Sequence, residues 1–492
     1  MTGDRPAGEK RCELALPQHQ HNMLCGFLGV VDWSAILIDL RKALGYTCGA
    51  SRKTMSSSEA AASGLLVPIK QAQVLPGGRV MSDSRPPPRP ASYDKKVGLV
   101  LQGGGALGSY QAGVYEALAS SPYLPDWVAG ISIGAINAAL IAGNPPENRV
   151  AQLRRFWEAV TAPTAWWPAG LTGPLAAWQR STGGLAAIMF GQPGFFAPRP
   201  LREWFSPTMP TSYYSTVALK ETLEQLVDFD RINSAKGIRL SVGAVNVRTG
   251  RFAYFDSAEI AIRPEHVMAS GSLPPGFPPV EIDGEYYWDG GLVSNTPLQY
   301  VLDYYPRRSR LTFQVDVFQG RGQLPTNLEE VSERDKDIRF SSRTRITTEN
   351  FRQRHEVRHA IEELMEILPP ELRNTEQAKR LHEFGCVTEM DIVQLIYRPH
   401  EPQGAHKDYE FSRVTMNNRW QQGLSDARTT LQAAPWRAPT PQDVGVRVFD
   451  VMHDILVGKS KAAPQATSPM EEISAPAGNE SVPEVGQFRG TG

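Results

Sequence analysis

The sequence predicts an α/β fold built on a largely parallel sheet with helices on its faces. Two observations carry this. Short apolar runs alternate with segments of helical periodicity, and the first two runs each end in a glycine-rich turn that opens a helix. After Gln319 the composition becomes charged and helical, which predicts a C-terminal helical module on residues 304–458.

Residues 1–94 read as an appended region. A Ser- and Ala-rich stretch precedes PPPRP at 86–90, a stiff extended linker. Residues 23–40, MLCGFLGVVDWSAILIDL, are the most apolar stretch, but Asp32 interrupts them and they are too short and broken for a transmembrane span. A membrane-lying amphipathic segment, a secretory signal or a plain tail are the readings left.

The predicted globular part begins at 96. Residues 97–102, VGLVLQ, form a buried strand that feeds three glycines, and YQAGVYEALAS at 110–120 follows with helical spacing. Residues 127–131 are the second strand, meeting a helix at 135–142. Strands are expected at 238–247 and 251–255 around Thr249–Gly250, and again at 311–318. Residues 162–214 are dense in Trp, Phe, Pro and Gly, with Trp166, Trp167, Trp178, Phe190, Phe195, Phe196 and Trp204. Such a segment covers an apolar cleft or packs under a long loop. Helices are expected at 350–368, 375–384 and 408–431, and 459–492 reads as a disordered tail.

Lys plus Arg number 51 and Asp plus Glu 52, a net charge of −1, so nothing draws the chain as a whole to nucleic acid. Cys12, Cys25, Cys48 and Cys386 form no CxxC pair and no metal-ligand spacing. A reducing, cytoplasmic setting is expected, with room for peripheral membrane contact.

Three motifs carry chemistry. Gly130-Ile131-Ser132-Ile133-Gly134 is a GxSxG sequence between a predicted strand and a predicted helix. There a serine sits on a sharp, strained turn, and side chains at the flanking glycines would clash. Gly103-Gly104-Gly105-Ala106-Leu107-Gly108 also follows a strand and opens a helix. Its outward amides suit a phosphate or the oxyanion of a tetrahedral intermediate. A dinucleotide site fits poorly, because Asp126 precedes its strand instead of following it. Asp289-Gly290-Gly291 fixes a carboxylate beside backbone that can approach closely, although such a sequence is often only a turn.

Taken together, in this order, the three motifs resemble the patatin-like phospholipase family. The stretch ASGSLPPGFPP at 269–279 is similar to the segment that family carries ahead of its aspartate, and the resemblance covers about residues 96–303. It implies a patatin-like three-layer sandwich and a Ser–Asp dyad of Ser132 and Asp289. Gly103, Gly104, Gly105 and Gly108 are then the oxyanion loop, Gly130 and Gly134 the nucleophile elbow, and Gly290 and Gly291 the aspartate motif. It implies an acyl-lipid or ester substrate and no metal or organic cofactor, and it names no protein partner. Leu107 departs from the pattern, since many members carry Arg or Lys there.

The histidines offer an independent check. Between 96 and 303 only His266 occurs, and it precedes Asp289, whereas an α/β-hydrolase triad orders Ser, acid, His. Its place at the head of EHVMAS suits capping or packing. A triad completed from the C-terminal module and a binding protein on a retired hydrolase fold are the alternatives.

Overall fold

The computed structural model describes residues 93–458, apart from 162–186, 188, 208, 236, 400–401 and 442–443, and apart from the side chains of 342–345. The expectations for residues 1–92 and 459–492, and for Trp166, Trp167 and Trp178, lie outside the described residues.

The chain starts with β1 (Lys96–Leu101), whose side chains are buried from Val97 onward. The glycine loop leads into α1 (Gly108–Ala119), then β2 (Trp127–Gly130) and α2 (Ile133–Ala142). Every residue of β2 and α2 is buried. A strand buried on both faces and a helix buried all round are what a doubly covered parallel sheet requires. There follow α3 (Arg149–Ala159), α4 (Val217–Leu226), β3 (Arg239–Asn246), β4 (Phe252–Asp256) and α5 (Pro264–Ser270). Then come β5 (Val280–Ile282), β6 (Glu285–Asp289), α6 (Leu298–Asp303) and β7 (Arg310–Asp316).

The nine-stranded sheet continues into the C-terminal region. Beyond α7 (Leu328–Ile367) and α8 (Glu376–His382) lies β8 (Met390–Ile396); beyond α9 (Arg413–Ala433) lies β9 (Val446–Phe449). The strand order is β9-β8-β7-β1-β2-β3-β6-β5, with β4 also paired to β3. From β9 to β3 the ladder is parallel; β4, β5 and β6 are antiparallel. The mostly parallel central sheet with helices is therefore present. The helical reading of 304–458 did not include β8 and β9. MDIVQLI is a short apolar run among charged helices, and these strands extend the central sheet itself.

Helices α1 and α9 cross at two glycines. A side chain on Gly113 would strike the Trp420 carbonyl, and one on Gly423 the Tyr110 carbonyl. Backbones that close can pack only where both lack a Cβ. This crossing fixes the C-terminal region against the first βα unit, around the fully buried Trp157, Trp420 and Trp436.

Strand register sets the site. β2 ends at Gly130, paired with Val242 of β3, and β3 runs on past it. β6 runs antiparallel along the same edge of β3, beyond the end of β2 and opposite the edge taken by β4, and ends with Asp289 opposite Ala244. The turn after β2 and the last residue of β6 thus meet end to end beside one strand.

Candidate active site

Ser132 occupies that turn. Its backbone lies at φ 56° and ψ −126°, a left-handed conformation that costs a non-glycine residue free energy and persists only where its surroundings enforce it. Gly130 and Gly134 permit it: a side chain on Gly130 would strike the Gly134 carbonyl, and one on Gly134 the Leu101 carbonyl. The Ser132 N–H donates to Ser270 Oγ at 3.0 Å, and that hydroxyl donates to the Gly243 carbonyl at 2.6 Å. The last residue of α5 therefore pins the elbow to β3. Ser270 falls inside the ASGSLPPGFPP stretch, but sequence reasoning gave it no role. Its signal, a small polar residue ending a buried helix, becomes legible only with the fold.

Asp289 is 2% exposed. Its N–H donates to the Ser272 carbonyl at 3.0 Å, which sets the backbone, and Oδ1 accepts the Gly291 N–H at 2.7 Å, which sets the carboxylate. The Ser132 side chain stands beside the same carboxylate. Burial pushes the Asp289 carboxyl up to about 7, while the Gly291 amide and the Ser132 side chain hold it down. Gly290 lies against the Gly243 carbonyl, where a Cβ would crowd it at 2.6 Å.

The glycine loop faces the pair. Gly103 N–H donates to the Asn295 carbonyl at 3.0 Å, and Asn295 Nδ2 donates to the Gly103 carbonyl at 2.9 Å. Ala106 N–H donates to the Asp408 carbonyl at 2.8 Å, Leu107 N–H to Gly104 at 3.1 Å, and Gly108 N–H to Gly105. Among the described residues, that leaves the Gly104 and Gly105 amides without a protein acceptor. The Gly103 and Gly108 amides are engaged within the fold, and these two glycines serve spacing. A Cβ at Gly103 would strike Asn295 Oδ1, and one at Gly108 would press on Ile133 at 2.6 Å. The Leu107 side chain is buried, so no cation stands there.

These groups line a pocket of about 690 Å³, its open mouth included. Phe195 and Phe196 of the aromatic insert form part of its wall and pack on Phe277, with ring centroids 6.0 and 5.3 Å away. Phe190 is instead 79% exposed. Phe318, Phe340, Asp408, Tyr409 and Phe411 complete the wall, although all follow residue 303. Sequence reasoning assigned none of them to the site, because nothing local marks a residue brought in by a distant loop. Among the described residues, no imidazole lines the pocket. His266 Nδ1 accepts the Arg263 N–H at 2.8 Å and its ring packs on Phe255, so it caps α5. Among the described residues no group of three or more His, Cys, Asp or Glu could hold a metal ion.

Comparison with family models places two matches on the chain. One, described as patatin-like phospholipase, covers residues 99–302; the other, described as patatin phospholipase, covers 338–443. The chain belongs to the patatin-like phospholipase family. The second match contains β8, α9 and the pocket residues Phe340, Asp408, Tyr409 and Phe411, so this patatin-like chain has a C-terminal extension that reaches its candidate site. The family supports a lipid acyl hydrolase activity.

Three solved structures are similar at low identity. VipD from Legionella pneumophila matches at 13% identity and TM-score 0.29, over 75% of this chain and 76% of that one. ExoU, in its complex with SpcU from Pseudomonas aeruginosa, matches at 18% and 0.24, over 61% and 59%. Human GIVD cytosolic phospholipase A2 matches at 11% and 0.27, over 69% and 60%. The match spans less than two thirds of the latter two chains. The search of curated proteins finds no match. Among the described residues, no helix is long and apolar enough to cross a membrane.

Proposed function

We propose that this patatin-like chain hydrolyses carboxylic esters of acyl lipids through a dyad of Ser132 and Asp289. The observation that carries the reading is that Ser132 and the buried Asp289 carboxylate line one pocket, with the Ser132 side chain close enough to lower that carboxyl, and that among the described residues no imidazole lines it. A carboxylate poised near 7 can take a proton from a hydroxyl at neutral pH and return it later. Ser132 Oγ attacks the ester carbonyl as Asp289 takes its proton. The oxyanion forms toward the Gly104 and Gly105 amides, each such donor being worth about 3 kcal/mol in the barrier. The N-terminus of α2, directly after Ser132, adds its positive dipole end. Asp289 then protonates the leaving alcohol, an acyl-enzyme remains, and water reverses the steps. The aromatic wall at Phe195, Phe196 and Phe277 suits an acyl chain.

The test is a panel of acyl esters varied in chain length and head group, with a fluorophosphonate to label the serine. Wild type turns over esters and is labelled at Ser132. Ser132→Ala loses both, and Asp289→Asn loses turnover by at least about a thousandfold while keeping the fold. Equal rates for Asp289→Asn and wild type remove aspartate as the base. A folded protein that neither labels nor hydrolyses any ester is a binding protein on a retired hydrolase fold.

A further inference from the structure

The far wall of the pocket comes from residues 403–411, a loop between β8 and α9 that is anchored on both sides of Tyr409. Lys407 is buried, its ammonium 3.1 Å from Glu333 and 2.6 Å from Asp337. Gln403 and Gly404 N–H both donate to Glu333, at 3.1 and 2.8 Å. Lys336 Nζ donates to the Ala405 carbonyl and to Asp408 Oδ1, both at 2.7 Å. The Asp408 carbonyl accepts from Ala106, one residue beyond the open Gly105 amide. Arg419, also buried, donates to the Lys407 and Glu410 carbonyls at 2.9 and 3.2 Å. Tyr409 therefore has a fixed place relative to the glycine loop, as a preorganised site requires.

Among the described residues, five polar side chains line the pocket, and four are already engaged. Ser132 and Asp289 stand beside each other, Asn295 binds Gly103, and Asp408 binds Lys336. Among the described residues, the Tyr409 hydroxyl has no protein hydrogen-bond partner, and the residue is 38% exposed. Burial of the phenol raises it above its ordinary range, and the Asp408 and Asp289 charges raise it further, so it stays protonated and can donate. Tyr409 and Asp289 line the same pocket.

We infer that Tyr409 is a further substrate-contacting residue, whose hydroxyl donates a hydrogen bond to the leaving-alcohol oxygen of the ester. The inference rests on the dyad reading above. The Gly104 and Gly105 amides serve the carbonyl oxygen. The leaving oxygen must instead lie where Asp289 can protonate it, in the pocket where Tyr409 offers the one side-chain donor not already engaged among the described residues. When the tetrahedral intermediate collapses, the bond from carbon to the alcohol oxygen breaks and its electron pair stays on that oxygen. The oxygen takes the proton held by Asp289. Tyr409 keeps its own proton and stabilises the oxygen while charge builds on it.

The experiment compares the full chain with Tyr409→Phe on esters of one acyl group whose alcohols run from phenols to simple alkanols. Phenolates leave readily and alkoxides do not, so the variant's loss in kcat/KM grows along the series. It reaches about tenfold for alkyl esters and stays much smaller for aryl esters. Fluorophosphonate labelling of Ser132, in which fluoride leaves without a proton, falls less than alkyl-ester turnover. A loss of the same factor for every alcohol and for labelling means a structural role and overturns the inference, as does no loss at all. If wild type hydrolyses no ester in the series, the dyad reading fails with it. If wild type is active and the variant-to-wild-type ratio is flat, only the role of Tyr409 fails.

Discussion

Asn295 grips Gly103 from both sides: its Nδ2 donates to the Gly103 carbonyl at 2.9 Å, and its own carbonyl accepts the Gly103 N–H at 3.0 Å. The chain just beyond Asp289 is thereby tied to the start of the glycine loop. The carboxylate and the open amides of Gly104 and Gly105 keep one geometry because this pair spans between them. Asn295→Ala removes the side-chain half and leaves the main-chain half. A neutral hydrogen bond is worth about 1 kcal/mol to stability, so Tm should fall only slightly. The loop that must meet the oxyanion loses a constraint, so kcat should fall about 10- to 100-fold with KM little changed. Steady-state kinetics beside thermal melts checks this; an unchanged kcat removes Asn295 as a positioning residue.

The pH profile tests Asp289 as base. Its folded-state value of about 7 lies well above the ordinary carboxylate value, and burial is the first cause. Only the ionised form accepts the Ser132 proton. Activity should therefore be low in acid and rise tenfold per pH unit up to about pH 7 before it levels off. kcat/KM for an uncharged ester, followed from pH 5 to 9, reads this limb. A flat profile through pH 7, or a limb centred near 4, means that another group limits the reaction.

Much of this site was legible in the sequence because its motifs are local. A glycine on either side of Ser132, and glycines after Leu101 and Asp289, are spacing rules written into consecutive residues. Ser270, Asn295 and Tyr409 were not legible, for a physical reason. Ser270 and Asn295 each bond a partner far along the chain, and Tyr409 is brought to the pocket by a distant loop, so their own neighbours in sequence carry no trace of the site. The C-terminal strands were missed for a related reason: the long charged helix α7 dominates the composition there, and β8 is only seven residues long.

Lys407 tests whether the pocket wall depends on its buried anchor. Lys407→Met leaves Glu333 and Asp337 buried without their cation, which costs about 3–5 kcal/mol. The expected results are a clear drop in Tm and a loss of ester turnover, because the Asp408 carbonyl no longer holds Ala106 in place. Adding Glu333→Gln and Asp337→Asn removes the stranded charges and should recover most of the stability. If the single variant melts like wild type, the ion cluster is not what fixes the loop.

Asp316 predicts how stability changes with pH. Its carboxyl is 5% exposed and pushed up to about 7, burial being the largest cause, with Gln314 and Thr296 hydrogen bonds opposing it. In the unfolded chain the same group ionises near 4. Below that value it is protonated in both states and carries no penalty. Between about 4 and 7 the folded state holds its proton more tightly, so rising pH destabilises the fold; above about 7 the cost is fully present. Asp289 adds a penalty of the same sign. Asp316→Asn cannot ionise, so it should exceed wild type in stability above pH 7, by on the order of 4 kcal/mol at most, and match it near pH 4. Denaturant melts at pH 4.5, 6 and 8 read the difference. A variant less stable than wild type at pH 8 shows that the ionised carboxylate is stabilised by its partners and reverses the sign.

Gly105 joins the oxyanion loop to the 403–411 segment, and a single methyl there should separate binding from turnover. Its φ is 54°, and a Cβ would strike the Asp408 carbonyl, the acceptor of Ala106 N–H. Gly105→Ala therefore carries about 1–2 kcal/mol of backbone strain together with displacement of either the amide or the loop. The aromatic wall at Phe195, Phe196 and Phe277 does not touch this point, so substrate should still bind. The Gly105 amide should turn away from the carbonyl oxygen, and kcat should fall by about 100-fold with KM within a few fold. Gly250→Ala also loses a positive-φ glycine, but with open space around it and far from the pocket, so it measures the strain alone. Equal kcat in the two variants would mean that the Gly105 amide is not a donor to the transition state.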